Sequence, residues 1–299
     1  MKGKISAVII LIAGILWGSS CLFVDRLTSM GFNSFECVAI RLIFAAVITN
    51  IMLIVKGKGF KYYKISLSAY LLSALTGVCS VFAMCLFYYS AMIETSAAVS
   101  AILLYTSPIF VMILSLIFFK EKLSTLRIVA FVIAIVGCVL VSGISSGVQI
   151  STKGFIFGLL AGFTYSLYGI LTVFYMKKNT ERLAFSAHSF VFAGIATLFT
   201  VEPSSMVQKV IDADGAIPLT ILFFALFSLV TAALPFVLYA YGLSGVKPST
   251  ASILAFIEPL TAAFLGFFVL HQSMDIWGGI GFALIVVAIV VLNCEKTKN

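Results

Sequence analysis

Ala13-Gly14-Ile15-Leu16-Trp17 returns, 148 residues later, as Ala161-Gly162-Phe163-Thr164-Tyr165. The same offset carries Phe44-Ala45 onto Phe192-Ala193. An offset of 151 carries Tyr88 onto Tyr239, Ile102-Leu103 onto Ile253-Leu254, Pro108 onto Pro259 and Phe131 onto Phe282. Any one of these matches is worthless alone in so apolar a chain. Two nearly equal offsets, each kept along half of the sequence, indicate a duplicated unit, with one copy in residues 1–147 and the other in 148–299.

Composition says where such a chain lives. Of 299 residues, 62% are hydrophobic and 10% carry a charge, against roughly 45–50% and about 25% in a soluble domain. So few charges cannot cover a soluble globule, which excludes a soluble enzyme and a disordered chain. The net charge of +8 does not mark a nucleic-acid binder, because the bases form no single face. They sit in short clusters between apolar runs, as in a polytopic membrane protein. A bilayer core about 30 Å thick needs roughly 20 apolar residues as helix. That ruler gives ten spans, at 5–24, 34–55, 67–92, 95–119, 126–143, 154–175, 183–201, 217–242, 248–270 and 276–292. Lipid offers no partner for backbone polar groups, and the runs are too long for barrel strands, so the spans are helices. Short connections at 93–94 and 244–247 make neighbouring helices antiparallel.

With the N-terminus inside, fifteen Lys and Arg fall on the inner side: Lys2, Lys4, Lys56, Lys58, Lys61, Lys64, Lys120, Lys122, Arg127, Lys177, Lys178, Arg182, Lys247, Lys296 and Lys298. Only Arg26, Lys153 and Lys209 fall outside, and Arg41 lies within a span. This bias places both termini in the cytoplasm and the chain in the cell membrane. The first span follows Lys2 and Lys4 but has no small-x-small cleavage site after it, so it reads as a retained helix. The fold class is therefore an all-α membrane protein of ten transmembrane helices. Because five is odd, the second five-helix copy is inverted relative to the first. Inverted repeats place a site near mid-bilayer and make the outward- and inward-open forms similar in energy, as in a secondary transporter.

Gly-Ile-Leu-Trp-Gly at 14–18, Arg41 in the second span, Ser107-Pro108, then Phe119-Lys120-Glu121-Lys122-Leu123, and Glu258-Pro259 in the second copy together resemble the EamA-type members of the drug/metabolite transporter superfamily. The resemblance covers essentially the whole chain. It implies uptake or export of small metabolites, amino acids or toxic compounds, coupled to protons or to an exchange gradient. It also implies a central cavity lined by the first, third, fourth, sixth, eighth and ninth helices. One place departs from the pattern. Where that family often ends the ninth span with Gly-Glu-Arg, this chain has His271-Gln272.

Glu258 is the sharpest candidate, a carboxyl about halfway along the ninth span. Ionised at that depth it costs at least about 2.5–3.5 kcal/mol, so it faces protein or water. It reads as a coupling group that takes and loses a proton, or as the counter-ion of a cationic substrate. The plainer alternative is a protonated Glu that caps the backbone freed by Pro259. Pro108 and Pro259 each remove a backbone donor at equivalent depths and read as hinges or cavity-lining breaks. Ser100 and Ser107 lie on the face of the fourth span that corresponds to the Glu258 face of the ninth.

Trp17, Tyr88, Tyr89, Tyr165, Tyr168, Tyr239 and Tyr241 fall on the implied cavity helices and partly pair across the repeat. They read as an aromatic box with hydroxyl handles for an apolar, aromatic or cationic solute, or else as core. Arg41 reads as a structural tie to a carbonyl or to Glu36, with a clamp on a substrate carboxylate as the alternative. His188 reads as a polar packing residue rather than a proton relay, and Glu121 as a helix cap or lipid contact.

The six cysteines form no CxxC pair, and the two histidines lie far from any thiol in sequence, so no metal site is expected. No Walker A sequence, dinucleotide loop or nucleophile elbow occurs, so neither a cofactor nor catalysis is expected. The reading is a secondary transporter of a small organic metabolite such as an amino acid, an amine or a drug-like solute. It works by alternating access and is coupled to protons. Its partners are the solute, the bilayer and protons, not nucleic acid, and it acts as a monomer or homodimer. A flippase for a lipid-linked headgroup is the alternative. An intramembrane enzyme is a remote one, because Glu258 has no partner carboxylate in another span.

Overall fold

The computed structural model describes the chain except residues 1, 59–64, 123, 142–150, 178–180, 213–216, 272–275 and 294–299; for 2, 57, 58, 292 and 293 it describes the backbone alone. Outside the described residues lie the boundary at 147/148, the predicted end of the fifth span at Gly143, and Lys61, Lys64, Leu123, Lys178, Gln272, Cys294, Lys296 and Lys298.

Every regular element among the described residues is a helix. Seven helices are long and apolar enough to cross a membrane: α1 (Gly3–Ser29), α2 (Ser34–Lys56), α3 (Leu67–Glu94), α4 (Ala97–Phe119), α6 (Thr152–Met176), α8 (Ile217–Gly242) and α9 (Pro248–Phe268). Three shorter helices occupy the other predicted positions: α5 (Thr125–Val141), α7 (Arg182–Thr197) and α10 (Ile276–Asn293). Several starts carry side-chain caps that satisfy orphan N–H groups. Asn33 and Glu36 form a capping box at α2, while Ser66, Ser96 and Ser151 accept from the third residue beyond at α3, α4 and α6. Because α3 runs to Glu94, the connection to α4 is Thr95-Ser96 rather than the expected 93–94.

The sequence reading missed one helix. Pro203–Asp212 lies between α7 and α8 and is amphipathic, with Met206 and Val210 packed on Leu27, Phe32, Phe224 and Phe227. Lys209 Nζ donates to both carboxylate oxygens of the buried Glu36, at 2.8 and 2.7 Å, and so straps this helix to the start of α2.

Helix packing repeats when each helix is exchanged for the one five places on. α1 packs on α8 and α9, and α6 packs on α3 and α4. α2 packs on α8, and α7 packs on α3. The pairs α2–α7, α4–α9 and α5–α10 map onto themselves. Small residues permit these approaches. A Cβ at Gly14 would meet Ile257 and the Ala255 carbonyl of α9; one at Gly162 would meet Thr106 and the Leu103 and Leu104 carbonyls of α4. In α5 and α10, Gly137 and Gly281 each lie against the other's carbonyl.

The helices are interrupted at repeated places. α4 breaks into a turn at Tyr105-Thr106 and α9 at Ala255-Phe256, two breaks that overlap at Tyr105 and Phe256, the pair related by the offset of 151. Each break precedes a proline whose ring would clash with the carbonyl four residues back, Leu104 or Ala255. The chain tightens instead, with Thr106 N donating to Leu103 O and Phe256 N to Ile253 O. π-helical turns at Gly77–Phe82 in α3 and Leu229–Ala233 in α8 fall at matching positions as well. α1 breaks at Ser19 and α6 runs unbroken, so the two copies differ there.

Candidate functional site

Where α1, α4, α6, α8 and α9 converge, two small cavities adjoin. One is lined by Trp17, Ser107, Val111, Tyr165, Ser166, Tyr168, Gly169, Tyr239, Ser252 and Ala255. The other is lined by Tyr105, Ser107, Pro108, Tyr165, Ser252, Ala255, Phe256 and Glu258. Ser107, Tyr165, Ser252 and Ala255 form the wall between them. They admit water-sized molecules to about 20 and 10 Å³, where a single water needs about 10–15 Å³. The site is therefore closed down on itself, too tight for an organic solute.

Each half contributes the same two positions. Trp17 and Tyr165, related by the offset of 148, meet edge-on with ring centroids 6.2 Å apart. Ser107 and Glu258, related by 151, both line the second cavity. They arrive there because each stands just past the break in its helix, in the first turn of the segment that resumes.

Glu258 is half-buried, and the Tyr165 hydroxyl donates to its Oε2 at 3.3 Å, a long bond that leaves the carboxyl much of its accepting capacity. Arg41 is close enough for its charge to act on Glu258. No ion pair joins them among the described residues; the Arg41 guanidinium instead donates through Nη2 to the Thr231 carbonyl in the π-helical turn of α8. The structural tie expected of Arg41 thus goes to a carbonyl and not to Glu36, which caps α2 and holds Lys209.

The aromatic wall is rigid. Trp17 packs on Phe236 at 5.1 Å and Tyr239 at 5.5 Å, and Tyr168 on Phe236 at 4.7 Å and Tyr239 at 6.2 Å. Tyr168 donates its hydroxyl proton to the Phe236 carbonyl at 3.0 Å. Among the described residues the Trp17 indole nitrogen is buried with no hydrogen-bond partner, which leaves one donor in the wall unused.

The structure thus brings Trp17, Tyr165, Tyr168, Tyr239, Glu258 and Pro108 together, with Pro259 buried directly behind Glu258. Four predicted site residues lie elsewhere. Tyr241 sits at the end of α8, where its hydroxyl accepts from Lys56 Nζ at 3.2 Å and its ring carries the Arg182 guanidinium at 5.3 Å. Its side chain belongs to an end network with the Lys56–Glu181 ion pair. Ser100 is buried at the start of α4, donating to the Ser96 carbonyl. Tyr88 and Tyr89 pack on each other at 5.3 Å and line neither cavity. α3, expected among the cavity helices, likewise lines neither. Tyr105, Ser166, Ser252 and Phe256 are wall residues that sequence reasoning did not single out. Phe256 and Tyr105 are repeat equivalents, which is the signal that could have found them.

A second polar cluster lies one turn from the cavity. The buried Glu121, just past the end of α4, accepts through Oε1 from Arg127 of α5 and from the Ser249 hydroxyl of α9, and Arg127 Nη1 also donates to Ser249 Oγ at 3.1 Å. The lipid contact expected of Glu121 is corrected by this burial: a carboxylate between Arg127 and Ser249 is held by protein.

A helical membrane protein whose two similar halves close around a polar, aromatic cavity has the build of a membrane transporter. The chain belongs to the EamA-like transporter family, which it matches over residues 4–143 and again over 152–294, in line with the resemblance to the drug/metabolite transporter superfamily. It is 28% identical over 304 residues to YwfM of Bacillus subtilis, described as an uncharacterized transporter, covering 100% of this chain and 97% of that one. It is 29% identical over 205 residues to another uncharacterized transporter, from Archaeoglobus fulgidus, covering 68% of this chain and 70% of the other. A solved crystal structure shares the fold with a TM-score of 0.77 at 15% identity, covering 96% of each chain. Both named relatives are described as transporters, and with its apolar helices the chain is a multi-pass membrane protein.

Proposed function

We propose that the protein is a secondary transporter of a small organic solute, working by alternating access between two inverted halves. In this reading all ten apolar helices span the cell membrane, and both termini are cytoplasmic. The observation that carries it is the meeting of equivalent residues from both copies, Trp17 with Tyr165 and Ser107 with Glu258, around one shared pair of cavities. A site built on the relation between two halves can be offered to either side when the halves rock. The repeated packing of α1 on α8–α9 and α6 on α3–α4 supports the same reading.

Trp17, Tyr165, Tyr168 and Tyr239 hold the flat or apolar part of the solute, and Glu258 meets its cationic group or the coupling proton. The helix breaks before Pro108 and Pro259 serve as hinges, because backbone already free of the regular ladder can change its angle without breaking further bonds. Reconstitution tests this. Liposomes containing the purified chain should take up a cationic or zwitterionic metabolite faster when a pH gradient is imposed. No gradient-driven flux for any member of a broad panel of amines, amino acids and nucleobases refutes the reading.

A further inference from the structure

We propose that Glu121, Arg127 and Ser249 form the inner gate of the transport cycle, a latch between the two halves that must open before the cavity can reach the cytoplasmic face. The gate rests on the transporter reading above and adds to it the groups that hold one mouth shut.

The first argument is position. Ser249 stands three residues before Ser252, about 4.5 Å along the helix axis, and Ser252 lines both cavities. The Ser252 hydroxyl donates to the Ser249 carbonyl at 2.9 Å, so the cavity floor and the latch are in direct contact. On α4, Val111 lines the larger cavity, Ser115 lies one turn further on, and the Ser115 carbonyl accepts from Glu121 N. The latch therefore plugs the end of the cavity that α4 and α9 flank. Lys120, Lys122 and Lys247 lie beside it, part of the basic cluster that marks the inner side.

The second argument is connectivity. Glu121 and Arg127 belong to the first copy and Ser249 to the second, so the bonds from Ser249 to Glu121 and from Arg127 to Ser249 cross between halves. Any motion that parts α9 from α4 and α5 at this end breaks both.

The third is incomplete satisfaction. Among the described residues, Ser115 Oγ and Glu121 Oε2 are buried with no hydrogen-bond partner, beside three bonds that are made. Buried polar groups left unpaired destabilise the state that buries them, and water entering an opened mouth would satisfy both. The closed form is thus held firmly and opposed from within, the balance a gate requires if it is to reopen. The device is also one-sided. The place in the second copy that matches Glu121 is Gln272, and the one that matches Ser249 in the first copy is Ala98, so the repeat does not supply the same acid and hydroxyl at the matching positions.

The test uses the full chain with its six cysteines replaced and Ser252→Cys as a reporter on the cavity wall, in vesicles of defined orientation. A membrane-impermeant thiol reagent is added from one side at a time. Glu121→Ala should speed labelling from the cytoplasmic side at least tenfold and leave labelling from the other side unchanged. Ser249→Ala, which removes one neutral hydroxyl and leaves the fold intact, should speed it several-fold on the same side only. Unchanged labelling in both variants overturns the gate, as does a rise from both sides, which would mean a loosened fold. If the reporter is labelled from neither side in any variant, with or without a pH gradient, the cavity itself is refuted and the transporter reading falls with it.

Discussion

Gly18 of α1 is where the packing and the site depend on the same atom. A Cβ placed there would lie 2.4 Å from the Glu258 carbonyl oxygen, 2.6 Å from Thr261 Cβ and 3.2 Å from Ala262 N. Ordinary contact begins near 3.4 Å, so α1 and α9 must part by about 1 Å, and backbone atoms offer no rotamer change to absorb it. Overpacking of this kind costs about 1–3 kcal/mol. Replacing a helical glycine by alanine also gains up to about 1 kcal/mol of helix propensity, which would hide part of the loss. Gly279 of α10 supplies the control, since nothing lies within 4 Å of a Cβ there. The difference in unfolding free energy between Gly18→Ala and Gly279→Ala should therefore be about 1–3 kcal/mol, with Gly18→Ala the less stable. Reversible unfolding in mixed micelles measures it. The first substitution should also change solute affinity, because it moves Glu258, while the second should not. Equal stabilities, or an affinity change in Gly279→Ala alone, would refute the claim that α1 and α9 meet backbone to backbone beside the site.

Glu258→Gln should abolish accumulation driven by a pH gradient while sparing exchange of solute across the membrane, as read in paired flux and counterflow assays; unchanged accumulation removes Glu258 from coupling. Glu121→Ala should cost about 3–5 kcal/mol by leaving Arg127 charged and buried, and the double change Glu121→Leu with Arg127→Met should recover most of that loss in the same unfolding assay. Lys209→Ala should destabilise the chain by about 1.5–3 kcal/mol, through the bonds lost to the buried Glu36 carboxylate, and should expose the helix Pro203–Asp212 to protease. Tyr168→Phe should cost about 1–3 kcal/mol for the bonds to the Phe236 carbonyl and the Ser186 hydroxyl, and a larger loss would mean that its hydroxyl makes a further contact.

Much of this architecture could be read from hydropathy and the repeat. The ends of α2, α6 and α8 fall within two residues of expectation, because a bilayer-length apolar run bounded by Asn33 or Ser151 leaves few alternatives. The offsets of 148 and 151 relate Trp17 to Tyr165 and Ser107 to Glu258 as repeat equivalents, while their meeting in one place is a matter of packing. Other features gave no local signal. The π-helical turns in α3 and α8 interrupt nothing in the apolar pattern, since an extra residue in a turn changes register and not polarity. The helix Pro203–Asp212 is too short and too polar for a window about 20 residues long. Tyr241 lies apart from both cavities because membership of a cavity helix does not fix depth, and it stands at the end of α8 with Lys56 and Arg182. The Glu121–Ser249 contact joins residues 128 apart in sequence, and nothing in either neighbourhood names the other.

The mutual contact of Gly137 and Gly281 has a mechanical consequence. Carbonyl rests there on bare α-carbon, with the Ile285 and Leu140 side chains alongside, so the helices lie close enough for one to turn about that point on the other while the seam between them stays sealed. Because α5 and α10 exchange with each other under the repeat, that bearing lies near the axis relating the halves, where a see-saw moves little. A single methyl added at either glycine would jam the pivot for both arms at once, leaving a chain that folds and binds but turns over slowly.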